Sequence, residues 1–502
     1  MAAINELTFG DILGEHRRSR PRETAVVDGG LRLTYAELDA RVNRLANALA
    51  AAGTGRGDRV LWLGRTSFRV LEALLACGRL GAICCPANWR SSADELAFVL
   101  DDLAPSVVLF EDGEVVAAAR EKAAGTARWV AAGPEYEAFA GAAPATEPDA
   151  DVAASDPLLA QYTAAFSGRP RAALLSHAAL VAHDMALAYV RRPPPGFTFL
   201  NSGPLFHVGT MMFCLLTFHL GGTNVFLPEF DPARVCALVE AERCTHAFLF
   251  GPMIDRLVEA NRTAGHDLTS LRFCAHSPEW DAMITVDDSP WCASAFGGYG
   301  QTEVGGMLTY AGLAMGAAGA AGRPSPLVAV RIVDPYGAEV PDGEVGEIVA
   351  RGAPVMSGYL NRPELTAAKR SGGWHHTGDL GRREPDGTLT FVGPRLRMIK
   401  SGAENIYPAE VERALKGLPG VADAAVIGVP DPEWGQAVRA IVVPEPGVRL
   451  VGGTLIALTR ASVASYKKPR DIVFAEAIPK KGFAPDYDAL DAAYGGGGYP
   501  VL

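Results

Sequence analysis

The segment 297–303, Gly-Gly-Tyr-Gly-Gln-Thr-Glu, combines residue types that could hold a nucleotide and a metal ion. Its closely spaced glycines permit a close approach of backbone or ligand, and Tyr299 offers a flat ring for a base. Thr302 and Glu303 place a hydroxyl beside a carboxylate, and Mg²⁺ prefers oxygen ligands of this kind. A structural turn with a solvated glutamate is the competing interpretation, and this segment alone does not separate the two.

Asp379 belongs to the segment 374–380, Trp-His-His-Thr-Gly-Asp-Leu, which precedes a predicted hairpin with an Asp-Gly turn at 386–387. A carboxylate at this place could accept hydrogen bonds from two neighbouring hydroxyls of a sugar. An aspartate that bonds the backbone of its own turn is individually the commoner use. The spacing of His375 and His376 does not suit metal ligands, and both are predicted to be surface residues.

Three further segments are weak signals when taken singly. Residues 161–174 form a small-residue turn between a strand and a helix, which can direct backbone N–H groups at an anion, but the segment contains one glycine and a bulky Phe166. His207 precedes an apolar stretch, where a histidine is usually part of the core. Lys400 lies in a turn before a helix predicted to begin near Pro408.

The elements that must position these residues alternate between short apolar runs and helical patterns. This alternation predicts α/β layers with parallel sheet. A helix is predicted over 34–52, and a buried helix followed by a buried strand over 207–228. A compact C-terminal unit contains an amphipathic helix over 408–415. The predicted strands are 59–64, 106–110, 127–132, 197–201, 223–227, 245–250 and 271–275, with 424–429 and 437–443 in the C-terminal unit.

Composition narrows the class of protein. The chain has 502 residues, 49% of them apolar and 21% charged, with a net charge of −11, which is typical of a soluble globular protein. Because it has no basic cluster, we expect no nucleic-acid partner. No secretory signal or membrane span is predicted. Most of the eight cysteines lie in apolar runs, and none has metal-ligand spacing, so we expect reduced thiols in a cytoplasmic protein.

In this order and spacing, the motifs resemble the adenylate-forming superfamily of acyl-CoA synthetases, firefly luciferases and peptide-synthetase adenylation domains. The resemblance spans nearly the whole chain. Within the superfamily, segments 404–412 and 475–479 are most similar to fatty-acyl-CoA or aryl-CoA ligases. The other blocks that carry the resemblance are 33–38, 57–60, 86–90, 205–209, 299–303, 346–349, 358–360, 377–380, 400–412 and 466–469.

The resemblance implies both an architecture and a reaction. A large body over residues 1–393 would contain layered α/β subdomains, with a seam within 117–156, and a β-barrel-like piece. A small, mobile α+β domain would cover residues 394–502. ATP would activate a small-molecule carboxylic acid as acyl-AMP, and a thiol, usually coenzyme A, would then displace AMP. A homodimer is a further expectation.

Family roles carried onto matching positions give a set of expected site residues. The expected catalytic residues are His207, Thr302, Glu303 and Arg395, and Mg²⁺ would bind at Thr302 and Glu303. The acyl pocket would include His207, Ala275, His276 and Gly298. The expected contacts of ATP or AMP are Thr163, Ser167, Gly168, Tyr299, Gly300, Gln301, Asp379 and Lys400.

The chain departs from the family pattern at positions whose family counterparts contact the phosphates and the ribose of the nucleotide. Alanine, alanine and phenylalanine at 164–166 replace the serine, glycine and threonine of the family's phosphate loop, and Arg171 replaces its lysine. The ribose-contacting arginine falls at Pro394, with Arg395 one residue later. The adenylation lysine falls at Pro485, and its loss should slow the first half-reaction by several orders of magnitude.

Two functional hypotheses therefore stay open. The first is a working acyl- or aryl-CoA ligase with a divergent nucleotide site. The second is a relative that has lost ATP-driven adenylation and performs another acyl-transfer or ligation step, or only binds an acyl ligand or partner.

Overall fold

The structure is a computed structural model that describes residues 4–163, 170–293, 297–394, 397–402, 404–481, 484–497 and 499. Up to residue 163, strands alternate with helices in the predicted manner. The helices are α1 (Phe9–Ser19), α2 (Tyr35–Ala51), α3 (Phe68–Leu80), α4 (Ala93–Leu103), α5 (Glu114–Lys122) and α6 (Pro134–Gly141). The strands are β1 (Thr24–Asp28), β2 (Leu31–Thr34), β3 (Arg59–Leu63), β4 (Ile83–Pro86), β5 (Val107–Phe110), β6 (Arg128–Ala131) and β7 (Pro157–Thr163).

The next part of the chain continues this alternation up to residue 293. Its strands are β8 (Arg171–Ser176), β9 (Thr198–Asn201), β10 (Thr223–Phe226) and β11 (His246–Ala247). Its helices are α7 (His177–Arg191), α8 (Val208–His219), α9 (Pro232–Glu242), α10 (Gly251–Ala264), α11 (Pro278–Met283) and α12 (Pro290–Ala293). The helix and the strand predicted over 207–228 are thus confirmed as α8 and β10.

These elements build two layered sheets. A seven-stranded sheet has the order β18-β8-β7-β4-β3-β5-β6, where β18 is Gly358–Tyr359, and a five-stranded sheet has the order β11-β9-β10-β1-β2. Neighbours from β4 to β6 are parallel, as are β11, β9, β10 and β1. Helix α3 packs against strands of both sheets, so its residues are buried on nearly all sides. The predicted α/β class is therefore confirmed.

Residues 300–394 are mainly antiparallel. The strands other than β18 are β12 (Gly300–Gln301), β13 (Gly306–Met307), β14 (Thr309–Tyr310), β15 (Arg323–Pro324), β16 (Val328–Val333), β17 (Val345–Gly352), β19 (His375–Arg383) and β20 (Leu389–Pro394), with helix α13 (Pro363–Ala368) before β19. Strands β16, β17, β19 and β20 form a four-stranded antiparallel sheet in the region of the expected β-barrel-like piece, and this sheet is open, with β16 and β20 at its edges. The turn that joins β19 to β20 contains Asp386 and Gly387, as predicted.

The C-terminal residues form a small α+β domain with a core of its own. Its strands are β21 (Ile399–Ser401), β22 (Glu404–Ile406), β23 (Val421–Asp431), β24 (Gly435–Pro444), β25 (Asp471–Phe474), β26 (Lys480–Lys481) and β27 (Ala484–Pro485). Its helices are α14 (Pro408–Lys416), α15 (Gly452–Ser462) and α16 (Tyr487–Tyr494). The apolar face of α14 packs on β23, so Val411, Leu415 and Val426 are fully buried. The predicted helix and strands of this unit are confirmed.

Three details differ from the sequence-based expectations. The run 271–275 forms no strand, because Arg272 pairs with Thr285 only through an isolated bridge while Leu271 and Phe273 are buried by packing. The run 245–250 forms only the short strand β11, since Phe250 already caps α10. The expected seam 117–156 contains α6 and β6, and β6 is the edge strand of the seven-stranded sheet.

All eight cysteines are free thiols, and all except the half-buried Cys274 are buried. Burial raises the pKa of Cys77, Cys85 and Cys214. Within the described ranges, no group of three or more histidine, cysteine, aspartate or glutamate side chains could hold a metal ion. In the same part of the chain, every helix is too short or too polar to cross a membrane.

The C-terminal domain is joined to the body by a buried ion-pair triad. The Lys467 ammonium donates to Glu410 of α14 at 2.7 Å and to Glu95 of α4 at 2.6 Å. The three side chains are 8%, 1% and 9% exposed. Nearby, the Asn88 amide donates to the Tyr466 hydroxyl at 3.2 Å. The triad therefore connects the small domain to the body in the arrangement that the structure shows.

We expect Lys467→Met to destabilise the protein by about 3–5 kcal/mol, because it leaves two buried carboxylates unpaired. Burial raises the pKa of Glu410, and a raised carboxyl pKa means that the folded state takes up a proton more readily than the unfolded state. The loss should therefore be largest at neutral pH and shrink as the pH falls. Lys468→Met removes a neighbouring ammonium that bonds only the Ser465 carbonyl and serves as the control in urea titrations. Equal losses in the two variants would contradict the triad's role.

Candidate nucleotide site

The turn 297–303 is built on close backbone contacts that exclude a side chain. A Cβ atom on Gly300 would lie 1.9 Å from the Gly306 carbonyl oxygen, and one on Gly298 would lie 2.2 Å from the Thr309 oxygen. Gly298 also has a φ of +154°, a backbone conformation that favours glycine. The close approach of Gly300 to Gly306 lies where strands β12 and β13 pair. Glu303 follows in a short 3-10 turn. The glycines thus place Tyr299, Gln301 and Glu303 on a rigid loop.

Asp379 is the centre of a hydrogen-bonded cluster formed by this loop and β19. The Tyr299 hydroxyl donates to Asp379 Oδ2 at 2.7 Å, and the Gln301 amide donates to the same oxygen at 3.2 Å. The turn itself is held by Thr377, whose hydroxyl accepts the Asp379 N–H at 3.1 Å. The alternative of an aspartate that bonds its own turn therefore does not hold. Oδ2 has two donors, whereas Oδ1 accepts no hydrogen bond from the described residues and could receive hydroxyl groups of a ligand.

Burial and charge tune the acidity of this cluster. Burial raises the pKa of Asp379 to about 6, opposed by the Tyr299 hydrogen bond and reinforced by the charge of Glu303. Burial, followed by the charge of Asp379, raises the pKa of Tyr299 well above its usual value. One face of the Tyr299 ring stacks on Phe391, with ring centroids 5.3 Å apart. At neutral pH the cluster therefore holds a neutral phenol against a carboxylate.

His375 contacts Gln301 of the cluster and is buried, so its prediction as a surface residue is wrong. Its side chain is buried because the alternation of β19 turns it toward the loop 297–303, with the residue only 3% exposed. Its Nε2 lies 3.1 Å from Gln301 Oε1. Burial lowers the pKa of His375 to about 3, so the ring is neutral and can donate from Nε2. This contact fixes the Gln301 amide with its NH₂ group toward Asp379.

Glu303 and Thr302 fit the ligand chemistry of a magnesium ion that is shared with phosphate. Glu303 is 5% exposed, and its Oε1 accepts the Tyr359 hydroxyl at 2.7 Å. The second carboxylate oxygen has no hydrogen-bond donor among the residues that the structure describes. Mg²⁺ is usually held by one or two carboxylates together with phosphate oxygens and water. A single carboxylate beside a hydroxyl meets that requirement.

The C-terminal domain reaches the body at His207 through the β21–β22 hairpin. Arg90 donates to Glu404 Oε1 at 2.6 Å, and His207 Nε2 lies 3.5 Å from the other oxygen of Glu404. Burial opposes ionisation of Glu404, but its contacts with His207 and Arg90 outweigh burial and lower the pKa of Glu404 to about 2. Tyr407 follows this hairpin, and burial, together with the charges of Asp379 and Glu303, raises its pKa. His207 therefore lies at the junction of body and C-terminal domain and is not an ordinary core histidine.

Lys400 lies on the same hairpin, on strand β21. Its ammonium donates to Asn405 Oδ1 at 2.8 Å, and burial lowers its pKa against the charge of Glu404. On the body side, Thr163 ends β7 and pairs with Arg171 at the start of β8. Ser167, Gly168 and Arg395 lie outside the described residues. Their predicted roles stay predictions.

Ala275 and His276, both expected in the acyl pocket, make no hydrogen bond to the Asp379 cluster among the described residues. The His276 imidazole bonds Asp255 of α10 at 2.9 Å, and its backbone N–H donates to Asp281. Ala275 and His276 are exposed, next to the start of α10. Gly298 lies in the rigid loop beside Tyr299. Their assignment to a substrate pocket stays a prediction.

Several residues of this region were not among the predicted site residues. Glu404 lies in the segment 400–412, which carries part of the family resemblance. Its partner Arg90 is 314 positions away, so no local pattern in the sequence predicts the pair. Glu347 accepts the Gly378 N–H at 2.9 Å and lies 3.1 Å from His376 Nδ1, so it braces the turn of Asp379. Lys369 also faces the turn. The period-two alternation of β19 is the signal that could have identified His375 as buried.

Comparison with known proteins agrees with this geometry. The family model described as AMP-binding enzyme matches residues 13–360, and the model described as AMP-binding enzyme C-terminal domain matches residues 410–483. A feruloyl-CoA synthase of Amycolatopsis sp is 41% identical over 475 residues, which cover 93% of this chain and 95% of that protein.

Two further proteins have similar length and fold. An indoleacetate–CoA ligase of Aromatoleum aromaticum is 34% identical, with 94% of this chain and 95% of that protein covered. The structure of an amide bond synthetase from Marinactinospora thermotolerans superposes with a TM-score of 0.82 at 28% identity, covering 97% of this chain and all of that one. With matching models over both parts and relatives of this identity along nearly its whole length, the chain belongs to the family of AMP-binding enzymes, as a ligase of the acyl-CoA synthetase type.

Proposed function

We propose that this chain is an acyl- or aryl-CoA ligase that binds ATP or AMP at the Asp379 cluster. The observation that carries the proposal is the arrangement of Asp379, whose Oδ2 is held by Tyr299 and Gln301 while Oδ1 stays available. A carboxylate fixed in this way suits two vicinal ribose hydroxyls. The relatives named as CoA ligases support the thiol acceptor, and the feruloyl-CoA synthase makes ferulate the first acid to test.

Each residue of the site has a part in this proposal. Tyr299, Gly300 and Gln301 would contact the adenine side, and Thr163, Ser167, Gly168, Lys400 and Arg395 the phosphates and ribose. Mg²⁺ held at Thr302 and Glu303 would neutralise phosphate charge. His207 would separate the acyl and nucleotide sites, with Ala275, His276 and Gly298 on the acyl side. These groups position charged reactants and stabilise developing charge, which is most of what the reaction requires.

The proposal also covers the domain division of the chain, its location in the cell and its assembly. We propose a division into a body of residues 1–393 and a mobile domain of 394–502, with activity in the cytoplasm, no nucleic-acid partner, and a homodimer as the assembly. Rotation of the small domain would bring different hairpins to the acyl site in the two half-reactions.

A second function is favoured by one observation. The hairpin at His207 is β21–β22, whereas β26–β27, which contains Pro485 in the family's lysine place, is joined to β23 by the Lys480–Asp423 ion pair of 3.1 Å. A chain that keeps this arrangement would transfer an acyl group from a pre-formed adenylate and hardly make one. The two functions share the AMP site and differ in the first half-reaction.

Separate assays of the two half-reactions test both functions. Ferulate and a panel of other carboxylic acids are assayed for ATP–pyrophosphate exchange, and the matching synthetic acyl-adenylates are assayed for AMP release with CoA. We expect CoA-dependent AMP release at a rate at least about 10²-fold above exchange, given the loss of one charge-stabilising group. Exchange as fast as release would reject the second function. Failure of both assays, with no binding of AMP in calorimetry, would reject the ligase proposal.

A further inference from the structure

Lys369 is a half-buried cation that the motifs do not include. It follows the last residue of α13, and its carbonyl accepts the His376 N–H at 2.8 Å, which places it directly under the turn of Asp379. A Cβ atom on Gly378 would lie 3.1 Å from the Lys369 ammonium nitrogen. The ammonium group therefore lies against Gly378, in the turn that carries Asp379.

The charged groups that face this ammonium are those of the nucleotide site. They are the carboxylates of Glu303, Glu347 and Asp379 and the guanidinium of Arg171. In the ranges that the structure describes, no carboxylate lies within 4.0 Å of the ammonium and no hydrogen-bond acceptor receives it. Burial lowers the pKa of Lys369, against the effect of the three carboxylates. An ammonium group in such a place, with no direct partner among the described residues, suits an anionic ligand.

The position relative to Asp379 and Glu303 indicates which part of a nucleotide this ligand would be. Asp379 is the proposed ribose contact, and Glu303 the proposed contact of the metal ion that accompanies the phosphates. Because the Lys369 charge interacts with both carboxylates, Lys369 is near both proposed contacts, and the phosphate chain of a bound nucleotide would run between them. Arg171 lies on the same side, with its guanidinium 5.8 Å from the centre of the Tyr359 ring, whose hydroxyl bonds Glu303.

We infer that Lys369 binds the phosphate chain of the nucleotide and, with Arg171, supplies charge that the altered phosphate loop and the residue Pro485 no longer provide. This inference rests on the proposed function, because it presupposes that a nucleotide binds at Asp379. Lys369 belongs to the body, so it contacts phosphate whatever the position of the C-terminal domain. It is a binding residue of this chain that no motif of the sequence marks.

Calorimetric titration of Lys369→Met with adenosine, AMP and MgATP tests the inference. We expect affinity for AMP, for MgATP or for both to fall roughly 10- to 100-fold, the usual effect of losing a charge-assisted hydrogen bond, while adenosine binds as in the wild type. A loss that includes AMP assigns Lys369 to the α-phosphate, and a loss confined to MgATP assigns it to the outer phosphates. Lys369→Arg keeps the charge and should recover most of the affinity. Lys122→Met, which removes a surface ammonium paired with Asp94, is the matched control.

The three ligands keep the inference and the proposed function apart. If the wild type binds none of them, the proposed function fails. If the wild type binds AMP and Lys369→Met leaves AMP and MgATP affinities unchanged, the inference is overturned. An equal loss for adenosine, AMP and MgATP also overturns it, because Lys369 would then only support the Asp379 turn. Unchanged adenosine binding in the variant shows that the site is folded.

Discussion

Asp379→Asn is expected to weaken the binding of adenosine and AMP alike, by roughly 10- to 100-fold, because both ligands carry the ribose hydroxyls. Asparagine retains the shape of the side chain, and its carbonyl can still accept from Tyr299 and Gln301. It has only one acceptor oxygen, however, and that oxygen is already engaged, so the two ribose hydroxyls lose their partner. Calorimetric titration with the two ligands measures the effect. This pattern differs from that of Lys369→Met, which should spare adenosine.

The same substitution should stabilise the ligand-free protein. The folded-state pKa of Asp379 is about 6, above the ordinary value of 3.8, so the folded state binds this proton more tightly than the unfolded state. Its charge therefore costs stability above pH 6, and the cost vanishes below about pH 4. At pH 7.5 we expect Asp379→Asn to gain about 1–3 kcal/mol in unfolding free energy. In the wild type, AMP binding should weaken as the pH falls through 6 and the carboxylate takes up a proton.

Asp342→Asn, at an exposed aspartate in the turn before β17, is the control for both measurements. It should change neither AMP affinity nor stability beyond about 0.5 kcal/mol. If Asp379→Asn binds adenosine as tightly as the wild type, Asp379 does not contact the ribose and the proposed nucleotide site is wrong. If it loses both affinity and stability, the carboxylate has a structural role instead.

Pro485→Lys is expected to accelerate ATP–pyrophosphate exchange by roughly 10²–10³-fold, the usual contribution of one group that stabilises developing charge. Pro485 ends the two-residue strand β27, where it pairs with Lys480, and is half-buried. A lysine there could extend from the hairpin once the small domain has rotated. Release of AMP from a synthetic acyl-adenylate with CoA should stay unchanged, because in the proposed function that step uses the β21–β22 hairpin.

Pro485→Met removes the ring and adds a chain of similar length without a charge, so it separates the ammonium from a simple gain in flexibility. If the two variants accelerate exchange equally, charge at this place is not what limits the first half-reaction. No acceleration in either would mean that the phosphate loop, or the position of the small domain, limits it. Fast exchange in the wild type would show that a group such as Lys369 already replaces the missing lysine.

The fold was predictable where local pattern and tertiary environment agree. In α2, Leu38, Val42, Leu45 and Leu49 recur at helical spacing and are all fully buried, and Thr34 and Glu37 form a capping box at its start. The run 271–275 misled because its apolar residues are buried by packing against neighbouring helices, whereas a strand also requires a partner along its whole length. Such a partner is a property of the tertiary structure and is not visible in the run itself.

The centre of the site was predictable for a different reason. Tyr299, Glu303 and Asp379 lie in short motifs whose glycines and turns limit the possible backbone, so their types and spacing carried the information. His375, Lys369 and Glu404 depend on contacts across chain segments and had no such local pattern. His375 was misjudged because two adjacent histidines beside a turn resemble a solvated pair, while β19 directs them to opposite faces, one buried and one half-buried.

The burial of the native thiols has a practical consequence for following the small domain in motion. With seven of the eight cysteines buried and the eighth half-buried, maleimide dyes should react slowly with the wild-type protein. One cysteine introduced at an exposed position on the body and one on the C-terminal domain could then carry a donor–acceptor pair with little background. Energy transfer between the dyes would report the distance between the two labelled positions in single molecules, and a change in that distance between the half-reactions would reveal the proposed rotation.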